Sequence, residues 1–207
     1  MTPRTRIESI ALVLCVAAFC AAMGLWESLN IWIGTGGAAL FSLLLLQRLP
    51  TPPAIREGDV TISSAAAGLM VGFVMALMTW SLYPVSLDLV PALSREVPKL
   101  YALLRQPPGP VWAFPILVLV VTAEEWVWRG LAIDLLSRSR SAGGAVLLSA
   151  LIYVLPQIAF RSPLLVVVAF SCGLIWGALR VWTKGLFAPL LAHLLWDLLV
   201  FVLFPVE

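Results

Sequence analysis

The chain has 207 residues, 61% of them hydrophobic and only 12% charged, with a mean hydropathy of +1.01. Soluble domains run at roughly 45–50% apolar and about 25% charged, so the composition excludes an ordinary soluble domain and describes an integral membrane protein. A net charge of +2 is too small to point to nucleic acid as a partner.

A membrane-crossing helix needs about 20 predominantly apolar residues. Seven stretches meet that need, at 8–26, 31–49, 62–83, 110–136, 144–160, 164–182 and 185–204. The expected fold is all-α, a polytopic helical bundle forming a single membrane domain over 1–207, with the chemistry in its last four spans. The first span follows Arg4 and Arg6 as a signal segment would, but no small-x-small cleavage site follows it, so an uncleaved anchor is expected. Cys15, Cys20 and Cys172 all fall inside spans, where an odd number of thiols reads as small packing residues rather than disulfides or a zinc site.

The segment between the third and fourth spans, "PVSLDLVPALSREVPKLYALLRQPPGP", mixes Leu and Val with Arg95, Glu96, Lys99 and Arg105. It reads either as a broken amphipathic piece in the interface plane or as a loop packed on the bundle. "GLMVG" (Gly68, Gly72) and "GLIWG" (Gly173, Gly177) are small-xxx-small patterns that let helices approach closely in lipid.

Lys and Arg concentrate on the cytoplasmic side of bacterial-type membrane proteins. With the N-terminus inside, that side holds Arg4, Arg6, Arg48, Arg56, Arg138, Arg140, Arg180 and Lys184, and the outer side holds Arg95, Lys99, Arg105 and Arg161. Eight against four predicts a cytoplasmic N-terminus and an outer C-terminus, in what is expected to be a prokaryotic inner membrane.

Charged residues near a span's centre cost about 2.5–3.5 kcal/mol each on insertion scales, so they must face inward and find partners. The set here is Glu124, Glu125, Arg129 and Asp134 on the fourth span and His193 and Asp197 on the seventh, with the uncharged Gln157 on the fifth. Glu125 and Arg129 stand i to i+4 and can neutralise each other. Glu124 lies about 100° around the helix from Glu125 and can face a different space, as a carboxylate that activates water requires. His193, the one histidine of the chain, stands i to i+4 from Asp197. One histidine cannot supply the paired ligands of a zinc metalloprotease. The serines lie in no nucleophile motif, and the membrane aspartates lack the context of an aspartyl protease. A Glu-plus-His site for polarising water remains. Glu124 stands 14 residues, about 21 Å of helix, from Arg138, so the site is expected near mid-membrane or in the cytoplasmic half.

"EEWVWRG" (Glu124 to Gly130) and "HLLWD" (His193 to Asp197), on spans four and seven, resemble the EExxxR and HxxxN/D motifs of the CAAX prenyl protease type II family. This is also the ABI or CPBP family of glutamic intramembrane proteases, and a bacterial, myxosortase-like branch is within the resemblance. The likeness covers 110–204, while 1–109 contributes three spans and the interfacial segment without a motif. The family's middle motif, FxxxH, is replaced by "YVLPQ", so Tyr153 stands for the Phe and Gln157 for the histidine.

The resemblance implies an endopeptidase that needs no metal or other cofactor. Glu124 would activate water, Glu125 and Arg129 would hold the geometry, with Glu125 a second acid/base, and His193 would stabilise the oxyanion beside Asp197, which would fix its tautomer. Gln157, which cannot take up a proton at neutral pH, would position the water. The implied partner is a peptide or protein at the bilayer, lipid-modified or carrying a C-terminal sorting tail. The departure at Gln157 leaves a second reading: a non-catalytic family member that binds peptides or serves in immunity or scaffolding.

Overall fold

Hydroxyl, amide and proline residues mark where the helices start. The Thr2 hydroxyl accepts from the Thr5 N–H ahead of Pro3, Asn30 from Trp32 and Ile33, Thr61 from Ser64, Ser141 from Gly144, and Ser162 from Leu165 ahead of Pro163. Each cap satisfies backbone donors that a helix start leaves unpaired. The computed structural model describes residues 2–206, and among them no strand is formed.

Among the described residues eight helices result, besides a short 3-10 turn at Glu57–Asp59. They are α1 (Pro3–Gly24), α2 (Ile31–Leu46), α3 (Ile62–Leu89), α4 (Leu93–Leu104), α5 (114–136), α6 (Ala142–Phe160), α7 (Pro163–Thr183) and α8 (Phe187–Leu203). Helices α1, α3, α6 and α7 are long and apolar enough to cross a membrane; α2 and α8 are apolar but shorter. Each of the seven expected spans falls on one helix. The largest boundary difference is in α3, which runs through Pro84 to Leu89 and so takes the first residues of the expected interfacial segment. A proline removes one backbone bond, and in the membrane a neighbouring helix can make that tolerable.

The two helices that carry the expected motifs both change their winding beside them. In α5 an α-helical run, Phe114–Glu124, gives way to a π-helical one, Glu125–Ala132, before a last α turn, Ile133–Leu136. In α8 the α-helix Phe187–Asp197 passes into a π-helix over Leu198–Leu203. Side chains stitch both loosened stretches: the Ser149 hydroxyl donates to the Trp128 carbonyl at 2.7 Å, and the Tyr101 hydroxyl donates to the Val200 carbonyl at 2.8 Å. Short π-helical segments interrupt α-helices mostly at functional sites.

Close helix contacts fall at the glycine pairs. A Cβ on Gly68 or Gly72 would lie 2.5 or 2.6 Å from the Ala188 or Ala192 carbonyl oxygen, so α3 and α8 touch backbone to backbone. Gly173 and Gly177 bring α7 against Ala150 and Val146 of α6. In lipid, van der Waals contact of this kind, rather than water exclusion, holds helices together. Helix α4 buries Val97, Tyr101 and Leu103 against the bundle. Its end is tied to the start of α2, where the Trp32 indole donates to the Leu104 carbonyl at 3.2 Å and the Gln106 side chain accepts from the Ile31 N–H at 2.8 Å.

At the opposite end of the bundle, Arg4, Arg56, Arg138, Arg180 and Lys184 gather around a cavity of about 170 Å³ with Glu8, Asp59 and Asp134. Glu8 is buried and pairs with both Arg4 and Arg138, which fastens α1 to the turn after α5. Donating a hydrogen bond to the Glu8 carboxylate pushes the Arg138 guanidinium above its ordinary range. Glu8 is absent from the expected polar set because it sits on the first residue of the first span.

Candidate active site

The i to i+4 spacing of Glu125 and Arg129 survives the π winding: Arg129 Nη1 lies 3.1 Å from Glu125 Oε1, with both side chains almost fully buried. The guanidinium is held between two rings, its centre 4.6 Å from that of Tyr153 and 5.0 Å from that of Trp176. Stacking on aromatic faces suits a delocalised cation removed from water.

Helix α8 brings His193 to the same carboxylate. His193 Nδ1 stands 2.8 Å from Glu125 Oε1. The Glu125 oxygen that faces the guanidinium serves as an acceptor, so Nδ1–H is assigned as the donor. The imidazole is stacked on Trp176, ring centres 3.7 Å apart and planes 21° from parallel, which fixes its rotation. Nε2 therefore points at the remaining acids, 3.8 Å from Glu124 Oε2 and 3.6 Å from Asp197 Oδ2. Glu125 therefore faces Nδ1, while Asp197 faces the other ring nitrogen, Nε2. The reason is rotational: α8 packs with Nδ1 against α5, leaving the i+4 aspartate on the Nε2 side.

Glu124 takes the separate direction its 100° offset implies. Its Oε2 accepts a 2.8 Å hydrogen bond from the Tyr153 hydroxyl of α6, and its side chain keeps 14% of its surface exposed against none for Glu125. Tyr153 is the partner that sequence reasoning missed. Its signal was present, since the residue aligned with the family's Phe carries a hydroxyl, but only the rotation of α6 shows where that hydroxyl points.

Glu124, Tyr153, Gln157, His193 and Asp197 line one cavity of about 170 Å³. Gln157 is buried and its Oε1 has no hydrogen-bond partner, as is true of Glu125 Oε2. The structure therefore brings Glu124, Glu125, Arg129, His193 and Asp197 into contact and sets Gln157 on the wall of the same space. Asp134 is not part of it: it pairs with Arg180 at 3.2 Å, half-exposed at the basic end. Among the described residues, no group of three or more His, Cys, Asp or Glu is arranged to hold a metal ion.

The cavity is walled by the first half of α5 and α7, the second half of α6 and α8, the end of α1, the start of α2, and α4. All of these lie away from the basic end. Glu124 and His193 sit near the middle of α5 and α8, and the cavity extends from them toward the end of the bundle opposite Arg138 and Lys184.

Chemically, an apolar chamber holds one partly exposed carboxylate and, facing it, an imidazole nitrogen whose partner nitrogen is anchored. Residues 106–199 match the family model of the type II CAAX prenyl endopeptidases, Rce1-like. No curated protein and no solved structure matches the chain.

Proposed function

We propose, from the match of residues 106–199 to the Rce1-like type II CAAX prenyl endopeptidase family, that the protein is a membrane endopeptidase that hydrolyses peptide bonds with water activated by Glu124. The observation that carries this reading is the 3.8 Å separation of Glu124 Oε2 and His193 Nε2 in a mostly apolar cavity. One water can reach both atoms at hydrogen-bond distance across such a gap.

Glu124 takes a proton from that water as its oxygen attacks the carbonyl carbon. The resulting oxyanion is stabilised by His193 when Nε2 is protonated, a hydrogen bond that strengthens as charge develops. Collapse of the tetrahedral intermediate breaks the C–N bond, and Glu124 returns the proton to the leaving amine. Glu125 and Arg129 keep the imidazole oriented. Tyr153 holds Glu124, and Gln157, its Oε1 without a protein partner, orients the water or the substrate amide. The substrate is a peptide segment at the membrane.

The test is cleavage of membrane-anchored peptides with C-terminal tails by the protein in proteoliposomes made in ¹⁸O-water. The new carboxylate should carry one heavy oxygen, and the His193→Ala and Glu124→Ala variants should leave the tails intact. Equal cleavage by all three contradicts the assignment. Gln157, in place of a titratable residue, favours a second reading as a peptide-binding protein. That reading predicts that Glu124→Ala changes no native function and that Gln157→His creates cleavage where there was none.

A further inference from the structure

The cavity's lining runs from the reacting groups to the end of the bundle opposite the basic cluster, and the chain's charge fixes which side of the membrane that end faces. Its rim is made by Met23 at the end of α1, Ile31 at the start of α2, Leu104 of α4, Phe160 at the end of α6, Leu165 near the start of α7 and Phe201 of α8. Its floor lies at Trp176 and the reacting groups. Beyond that floor, Val127, Trp128, Arg129, Ala132 and Ile133 are all buried, and the cavity shares no lining residue with the one at the basic end.

The basic end gathers Arg4, Arg56, Arg138, Arg180 and Lys184 around its own separate cavity. Arg6, Arg48 and Arg140 lie on the same side of the membrane by the order of the helices, while the rim side carries Arg95, Lys99, Arg105 and Arg161. The excess of Lys and Arg marks the cytoplasmic face, so the rim faces outward. The walls between rim and floor are mostly apolar: Leu100, Leu103, Val120 and Val168 line them with the uncharged Thr35 and Gln157, and the charged groups lie only at depth.

We infer that the site admits its substrate from the outer side of the membrane, and that this substrate is the apolar, extended segment of an exported, membrane-tethered protein. A lipid-modified C-terminus presented from the cytoplasm would meet the closed, basic end. The inference rests on the proposed catalytic reading for what happens at the floor, and on geometry and charge for the direction of entry.

Directional thiol labelling separates the two. In a chain carrying Cys15→Ala, Cys20→Ala and Cys172→Ala, a membrane-impermeant maleimide is applied to right-side-out and inside-out vesicles of variants with Leu165→Cys at the rim or Ala54→Cys at the basic cavity. Entry from outside predicts that Leu165→Cys labels in right-side-out vesicles and is spared in inside-out ones, with Ala54→Cys showing the reverse. The opposite pattern overturns the inference, as does labelling of Leu165→Cys from the cytoplasmic side alone. The readout needs no catalysis. Glu124-dependent cleavage together with reversed labelling would sink the direction of entry and leave the chemistry standing. The expected labelling with cleavage indifferent to Glu124 would do the converse.

Discussion

Tyr153 ends in a hydroxyl 2.8 Å from Glu124, and its ring covers the Arg129 guanidinium. Tyr153→Phe keeps the ring and removes only the hydrogen bond. A hydrogen bond to a charged group contributes about 1.5–3 kcal/mol, so kcat should fall by about 10- to 100-fold with thermal stability little changed. A steady-state assay beside a melting curve checks both. Arg129→Ala is a different matter, because it leaves Glu125 buried and unpaired except for His193. Breaking a buried pair costs about 3–5 kcal/mol, so this variant should unfold at markedly lower denaturant or temperature in detergent. The Glu125–Arg129 pair was legible in the sequence because both residues lie on one helix at fixed spacing. The Tyr153–Glu124 and His193–Glu125 bonds join residues 29 and 68 apart in sequence, and spacing cannot tell how separate helices are rotated about their axes.

At the scale of elements, all seven expected apolar stretches became helices, since hydropathy and length report burial in lipid directly. What they do not report is winding. The π-helical stretches after Glu124 and after Asp197 depend on partners from other helices, Ser149 on the Trp128 carbonyl and Tyr101 on the Val200 carbonyl. Ser149→Ala should therefore lower activity more than an apolar truncation on the lipid-facing side, measurable as kcat at unchanged expression. The glycine pattern on α3 was legible as a packing surface but not its partner, which is α8. Gly72→Val puts bulk where a Cβ already meets the Ala192 carbonyl at 2.6 Å. Overpacking of this kind costs about 1–3 kcal/mol, and because α8 carries His193 the variant should lose activity along with stability.

For the whole molecule, charge sorts the two ends and apolar surface fills the space between. Glu8 binds α1 to the turn after α5 through Arg138, a contact hidden from a reading of spans because the residue lies at a span's edge. Glu8→Gln should lower the unfolding temperature while leaving the distant cavity's chemistry in place. The central claim is that a membrane endopeptidase works here through Glu124 with a single histidine and with Gln157 where its family has a second. The most direct measurement is quantitative mass spectrometry of tail peptide released in membranes holding equal amounts of folded native or Glu124→Gln protein. Loss of a general base predicts release lower by about 10²- to 10⁴-fold in the variant; release at the native rate by Glu124→Gln would contradict it.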